Sequence, residues 1–270
     1  MFKVQSFRSH GLLQDYILSY LVLESDFQEE ASRKMTILPH LIQHLIFNLG
    51  PPDKIYDITN KEYVAPDSIV GPNETVSELC IYAGMKCLVV NLKPGAGFKF
   101  FHIPVTKFAN KSNDLLAIAG CQMHEPGEEI RKCSTAEQQI AVLEAFLIRQ
   151  LLSDRKYSRD LGETIRLIYA ADGNITIREL ASGTYSTKRT LERSFLEQTG
   201  LHLKTFCRIV RFRKTIEYIE KEKKIQWCLL ASRFGYSDQT HFINEFRHFA
   251  GCLPHEYPGC RSNLELALGI

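Results

Sequence analysis

The C-terminal part of this chain states one pattern twice. Leu180-Ala181, Thr187, Leu191, Phe195 and Gly200 return as Leu230-Ala231, Ser237, Phe242, Phe246 and Gly251. From the alanine, the hydroxyl residue stands six positions on in both copies; the next apolar residue follows four later in the first and five later in the second. Thereafter both copies run four and then five, so one inserted residue separates them. Each copy reads as a short apolar-periodic helix, a tight turn and a second helix, which is the grammar of a helix-turn-helix. Thr187 and Ser237 are expected as N-caps, because a side-chain oxygen there accepts an orphan amide of the first turn. Gly200 and Gly251 are expected to end the helices in the left-handed conformation.

Leu191 with Phe195, and Phe242 with Phe246, fall at helical spacing and pin one face of each second helix to a core. The opposite face carries Lys188, Arg189, Glu192 and Arg193 in the first copy and Gln239, Thr240, His241, Asn244 and Arg247 in the second. Arg suits the edge of guanine, and Asn or Gln that of adenine, so these nine residues are the candidate DNA-binding set and double-stranded DNA the expected partner. Polar residues opposite an apolar stripe occur on any surface helix. Two copies of one turn, each closed by glycine, are what distinguish this pair.

The segment from about Leu161 to Tyr257 closely resembles the DNA-binding domain of AraC/XylS-type transcriptional regulators. The run Phe234-Gly235-Tyr236-Ser237-Asp238-Gln239-Thr240-His241-Phe242, followed by Phe246, Gly251, Pro254 and Tyr257, carries the resemblance. The first copy departs from the pattern: Thr187 stands where Ser is usual, Ser182-Gly183-Thr184-Tyr185 replaces a more apolar turn, and Leu203 takes the place of Pro254. The resemblance implies a seven-helix domain with two helix-turn-helix units joined by a long helix, here about Lys204 to Lys221. It also implies recognition helices in successive major grooves, about 34 Å apart. Arg189, Glu192 and Arg193, then Gln239, Thr240, His241 and Asn244, match the family's groove-facing positions. RNA polymerase is a further expected partner, and activation the expected sign.

A total charge of +2 over 270 residues hides a division. Residues 155–261 hold nineteen Lys or Arg against twelve Asp or Glu, and the remainder fourteen against nineteen. A basic C-terminal module on an acidic N-terminal one suits a protein of which one part meets phosphates. The eight cysteines form no Cys-x-x-Cys pair, and Met1 to His10 lacks the apolar core of a secretory signal. A reducing, cytoplasmic setting is expected, with Cys207 and Cys228 as small buried hydrophobes. No stretch reaches the length of a membrane span.

Residues 1–112 read as short strands, among them Tyr16 to Leu23, Leu41 to Leu49, Glu78 to Tyr82 and Cys87 to Leu92, broken by Pro51-Pro52, Gly71-Pro72 and Pro94-Gly95. Ile37-Leu38-Pro39, Leu45 to Gly50, Val70-Gly71-Pro72 and Leu92 to Gly95 resemble the N-terminal domain of one subset of AraC-type regulators, whose effectors are largely undefined. That resemblance implies a cupin-like small barrel. The expected fold class is therefore α+β: a mainly β cupin-like barrel over 1–112, a helical linker over 113–157, and an all-α domain with two helix-turn-helix units over 158–260. Ser134 to Ser153 is an amphipathic helix, started by Ser134 or Thr135 with Glu137, which packs on the barrel or on a second subunit. Ser153 to Ser158 is the expected hinge.

His40 and His44 point the same way on a strand, but a metal site needs three or four convergent ligands, and only the distant His102 and His124 are nearby. No metal, cofactor or catalytic residue is expected. Phe98, Phe100, Phe101 and Phe108 either line a pocket or, more commonly for such a pattern, fill a core. The reading reached is a sequence-specific transcriptional regulator, not an enzyme, whose N-terminal domain senses a small molecule or forms a homodimer. The alternative is an enzyme tethered to DNA, for which Cys80, Cys87 and Cys121 are the candidate thiolates.

Overall fold

The computed structural model describes residues 2–27, 31–120, 124–153, 161–222 and 224–257. All of its strands lie in the first part of the chain, as the run of short alternating segments predicts. They are β1 (Phe2–Phe7), β2 (Ile17–Ser25), β3 (Ser32–Ile37), β4 (Gln43–Asn48), β5 (Ile55–Asp57), β6 (Glu62–Tyr63), β7 (Asp67–Val70), β8 (Ser77–Tyr82), β9 (Lys86–Leu92) and β10 (Ser112–Asp114). They form a six-stranded sheet in the order β1-β2-β9-β4-β7-β10 and a four-stranded sheet in the order β3-β8-β5-β6.

The expectation of a barrel is corrected here to two separate sheets, because no pair of described strands joins one sheet to the other. What holds them together is side-chain burial. Alternation sends Leu21, Leu23, Cys87 and Val89 of the large sheet toward Met35, Ile37 and Ile81 of the small one. The alternate residues Tyr20, Val22, Leu88 and Val90 face the other way, into a second core with Phe47 and Ile69. The large sheet is thus buried on both faces.

Four helices cover that second face: α1 (Ala96–Phe101), α2 (Leu115–Ala119), α3 (His124–Lys132) and α4 (Ala136–Ser153). The run Phe98 to Phe101 lies in helix α1, and of the four aromatics weighed as pocket or core, Phe100, Phe101 and Phe108 are buried in the sheet–helix core. On α4 the buried residues are Gln139, Ile140, Leu143, Phe146 and Leu147, and the amide of His10 donates to Glu144 Oε1 at 2.7 Å, so the helix packs on its own sheet. Its start is capped by Gln138 rather than Glu137: Gln138 Oε1 accepts from the Ser134 and Thr135 amides, and Thr135 Oγ1 from the Gln138 amide. The expected hinge falls, beyond Ser153, outside the described residues.

Among the described residues six α-helices follow, where the resemblance implied seven over the whole domain: α5 (Gly162–Ala170), α6 (Ile177–Gly183), α7 (Lys188–Thr199), α8 (Leu203–Lys221), α9 (Trp227–Arg233) and α10 (Gln239–Ala250). Helix α8 is the axis of this part, for its Phe206 meets Phe195 of α7 edge to face at 5.0 Å, and its Phe212 meets Phe246 and Phe249 of α10 at 5.4 and 5.1 Å. All five rings are at most 1 % exposed. Each fully buried aromatic contributes roughly 1.5–3 kcal/mol, and these rings dominate the stability of the helical part.

The helical core does not stop at the helical part. Leu38 and Leu41, from the segment between β3 and β4, are buried within it, and Val76 packs against it. Arg213 of α8 donates from Nε to the Pro39 carbonyl at 2.6 Å and from Nη2 to the Leu38 carbonyl at 3.0 Å. At the C-terminus of α7, a Cβ on Gly200 would come within 2.8 Å of Val105 Cγ1. The two parts of the chain share a packed boundary.

Candidate nucleic-acid interface

The repeat in the sequence is a repeat in hydrogen bonds. In the first turn the amides of Thr184, Tyr185 and Ser186 donate to the carbonyls of Leu180, Ser182 and Ala181. In the second, Phe234, Gly235 and Tyr236 donate to Leu230, Ser232 and Ala231, which is the same pattern displaced by fifty residues. Both turns need a left-handed residue at one place, and it is Tyr185 in the first, at φ 49°, and Gly235 in the second, at φ 70°. One of the first copy's departures, the turn Ser182-Gly183-Thr184-Tyr185, thus ends on this strained position, and Tyr185 is 98 % exposed.

Thr187 caps α7 as expected, accepting from the Thr190 amide at 3.2 Å. The expected cap Ser237 is corrected to Asp238, whose Oδ1 accepts the His241 amide at 2.7 Å. Asp238 stands four residues before Phe242, just as Thr187 stands four before Leu191, so the inserted residue lies in the turn and the caps are equivalent. Ser237 becomes a brace: its hydroxyl donates to Asp238 Oδ2 at 3.0 Å, and its oxygen lies 3.1 Å from His241 Nδ1. The His241 amide and the Ser237 hydroxyl hold the Asp238 carboxyl below the usual range.

Of the nine candidate residues, Lys188, Arg189, Arg193, Thr240, Asn244 and Arg247 are exposed, and Glu192, Gln239 and His241 half-buried. Two of the half-buried ones are held by neighbours. Gln239 Oε1 accepts from the Cys228 thiol at 2.9 Å. His241 Nδ1 accepts from the Ser237 amide at 3.2 Å, which leaves its proton on Nε2, 3.3 Å from Glu245 Oε2. The His241 ring therefore braces the turn as well as lying near the free face.

Sequence reasoning missed the anchor beneath α10. Glu245 is buried, and its carboxylate accepts from Arg211 Nη2 at 2.9 Å and Arg208 Nε at 3.4 Å, both from α8. The same two guanidiniums lie over rings, Arg211 on Tyr236 at 4.7 Å and Arg208 on Phe249 at 4.9 Å. A glutamate on the polar side of an amphipathic pattern gives no sign of burial; the only hint is that Arg208 and Arg211 share one face of α8 at i, i+3. A groove of about 670 Å³ opens beside this anchor, with Lys204, His248, Asn244 and the amino end of α6 around it.

Cys207 is buried, and burial pushes its thiol up to about 11. Cys228, expected to be buried, is exposed on α9 because its neighbours Leu230 and Ala231 occupy the core-facing stripe. Burial pushes the Cys87 thiol up to about 12, the opposite of an activated thiolate, and Cys121 lies outside the described residues. His40 and His44 are both buried, their rings edge to face at 5.2 Å, and among the described residues no three metal-ligating side chains converge. Among the described residues no helix is long and apolar enough to cross a membrane.

Residues 180–258 match the family model of a helix-turn-helix domain, and residues 5–114 match a domain of unknown function, DUF6597. The C-terminal part of the chain is thus an AraC-type helix-turn-helix domain, the DNA-binding module of transcriptional regulators, joined to a β-rich N-terminal domain. Among curated proteins no sequence matches the chain. Of solved structures, ToxT from Vibrio cholerae O395 is similar at a TM-score of 0.43 and 12 % identity, covering 86 % of this chain and 97 % of that one. Apo ToxT, as a point variant from strain SCE256, gives 0.42 and 13 % over 90 % and 98 %. A transcriptional regulator with an AraC-type DNA-binding domain from Chromobacterium violaceum gives 0.35 and 20 % over 38 % and 92 %.

Proposed function

We propose that the chain is a sequence-specific regulator, an activator that meets RNA polymerase at its promoters, with a small-molecule sensor in its N-terminal domain. The proposed division is a regulatory domain over 1–112, a helical linker over 113–157 and the DNA-binding domain over 158–260. Lys188, Arg189, Glu192 and Arg193 of α7 read one half of the site, and Gln239, Thr240, His241, Asn244 and Arg247 of α10 read the other. The observation that carries this reading is the turn repeated bond for bond, each time delivering a helix with a free polar face. Because both readers lie on one chain, a single copy prefers an asymmetric site, and a homodimer would pair two such sites.

Selection of bound duplexes from a random pool, followed by footprinting, tests this directly. The expected result is two protected blocks, roughly 10–10.5 base pairs apart centre to centre, with no dyad required within one copy's footprint. Binding without sequence preference, or one block alone, would sink the assignment. The boundary formed by Leu38, Leu41, Arg213 and Gly200 supports coupling between the domains, since a change at the sheets has a packed path to α7 and α8.

A further inference from the structure

A row of polar side chains crosses the large sheet, assembled from five strands by register alone. Ser19 pairs with Asn91, Asn91 with His44, His44 with Val70, and Val70 with Ser112. Directly paired residues point to the same face of a sheet, so the row lies on the face that meets the small sheet. There a cavity of about 130 Å³ opens between the sheets, walled mainly by apolar residues such as Ile37, Ile46, Leu79 and Val89. His40, His44 and Ser112 line it.

Most polar groups at its wall are satisfied within the chain. Asp57 takes the Asn60 amides, Thr59 takes the Glu78 amide, and Asn73 donates to Ser77. Of the buried side-chain atoms without a hydrogen-bond partner among the described residues, two belong to residues of this wall, His44 Nε2 and Ser112 Oγ, and both are in the row. His44 itself is 4 % exposed. An orphan of this kind carries an uncompensated desolvation cost, which a bound group offsets.

The row also fixes what that group must be. Asn91 donates its amide nitrogen to Ser19 Oγ at 3.0 Å, leaving its carbonyl oxygen for His44 Nδ1 at 2.8 Å. The His44 proton therefore sits on Nδ1, and Nε2 is a lone-pair acceptor. His40 agrees, since its Nδ1 faces the Ile42 carbonyl at 2.9 Å, which can only accept. Burial holds the His44 ring neutral, its titration depressed to about 4. A neutral acceptor in an apolar wall rejects an anion and receives a donor. An apolar cavity of about 150 Å³ accommodates benzene, which sets the size.

We propose that this cavity binds a compact, uncharged, one-ring ligand whose hydroxyl or N–H donates to His44 Nε2, of the phenol class, with Ser112 Oγ as its second contact. This rests on the reading of the N-terminal domain as a sensor and names what it senses. The site adjoins the domain boundary, for His40 follows directly on the Leu38 and Pro39 carbonyls that Arg213 holds.

Calorimetric titration of the full chain with phenol, benzene, benzoate and zinc ion tests the site. Saturable phenol binding, at least tenfold tighter than benzene and with benzoate excluded, is expected; His44→Leu should bring phenol down to the benzene level. Ser112→Ala, nearer the surface, should weaken phenol severalfold and serves where the first variant does not fold. Phenol no tighter than benzene, benzoate preferred, or zinc binding lost in His44→Leu would each overturn the proposal. Repeating the DNA footprint with and without phenol separates the two levels: phenol bound with an unchanged footprint keeps the site and removes the sensor, whereas a selective footprint without phenol binding removes only the site.

Discussion

At the scale of single residues, Tyr185 and His44 show how a local cost marks a local role. A non-glycine residue in the left-handed region costs about 1–2 kcal/mol, and Tyr185 sits there where the second copy has Gly235. Tyr185→Gly should therefore raise stability by about 0.5–1 kcal/mol in urea denaturation, the gain being trimmed by the freer unfolded chain. His44 acts through protons. Its titration falls from an ordinary 6.5 to about 4 when buried, so between those values the unfolded chain binds a proton that the folded one refuses. Its contribution is complete above pH 6.5 and is lost as pH falls toward 4, by about 3 kcal/mol. His40 shifts the same way, through burial, His44 and Arg213. In urea melts across that range, His44→Gln should flatten the acid loss relative to the parent, and an unchanged slope would contradict the burial of a neutral ring.

At the scale of elements, α7 and α10 end alike and are placed differently. Gly200 and Gly251 both cap in the left-handed region, at φ 79° and 74°. A Cβ on Gly251 would meet only Val76 Cγ2 at 3.8 Å, ordinary contact, whereas on Gly200 it would meet Val105 and Ala109 at 2.8 and 3.2 Å. Gly251→Ala should cost about 1–2 kcal/mol from backbone strain alone. Gly200→Ala should cost more, and hydrogen exchange should quicken around residues 105–109 in that variant only. The elements themselves were largely legible. Apolar runs marked β2, β4, β8 and β9, and the stripe on α4 marked both the helix and its buried face. Helix α1 was not, because Phe98, Phe100 and Phe101 satisfy a strand pattern, and the left-handed Gly95 that starts the helix is a property of the turn. Ser237 matches Thr187 by its distance from the alanine, whereas Asp238 matches it by its distance to the buried apolar residue, and the cap follows the buried residue.

At the scale of the whole molecule, what sequence conveyed was what repeats or runs along the chain. The repeated helix-turn-helix pattern, the basic second part and the β-then-α order are all of that kind. The polar row could not be seen, since Ser19, His44, Asn91 and Ser112 become neighbours only through strand register, and Glu245 looks solvent-facing until α8 supplies Arg208 and Arg211. Division of labour between the readers is open to measurement. Arg193→Ala and Gln239→Ala should each cost about 1–3 kcal/mol on the selected site and relax discrimination in one half of it only. Loss spread evenly over both halves, or none, would count against the residue assignment.

Leu38 and Leu41 are buried among side chains of the helical part, with Arg213 fastened to the backbone between β3 and β4. A fragment holding the readers alone would be left with a bald apolar spot and a guanidinium stripped of its two acceptors. Truncation at the obvious seam is thus a surgical wound, and fragments should prove stickier and less stable than the intact polypeptide.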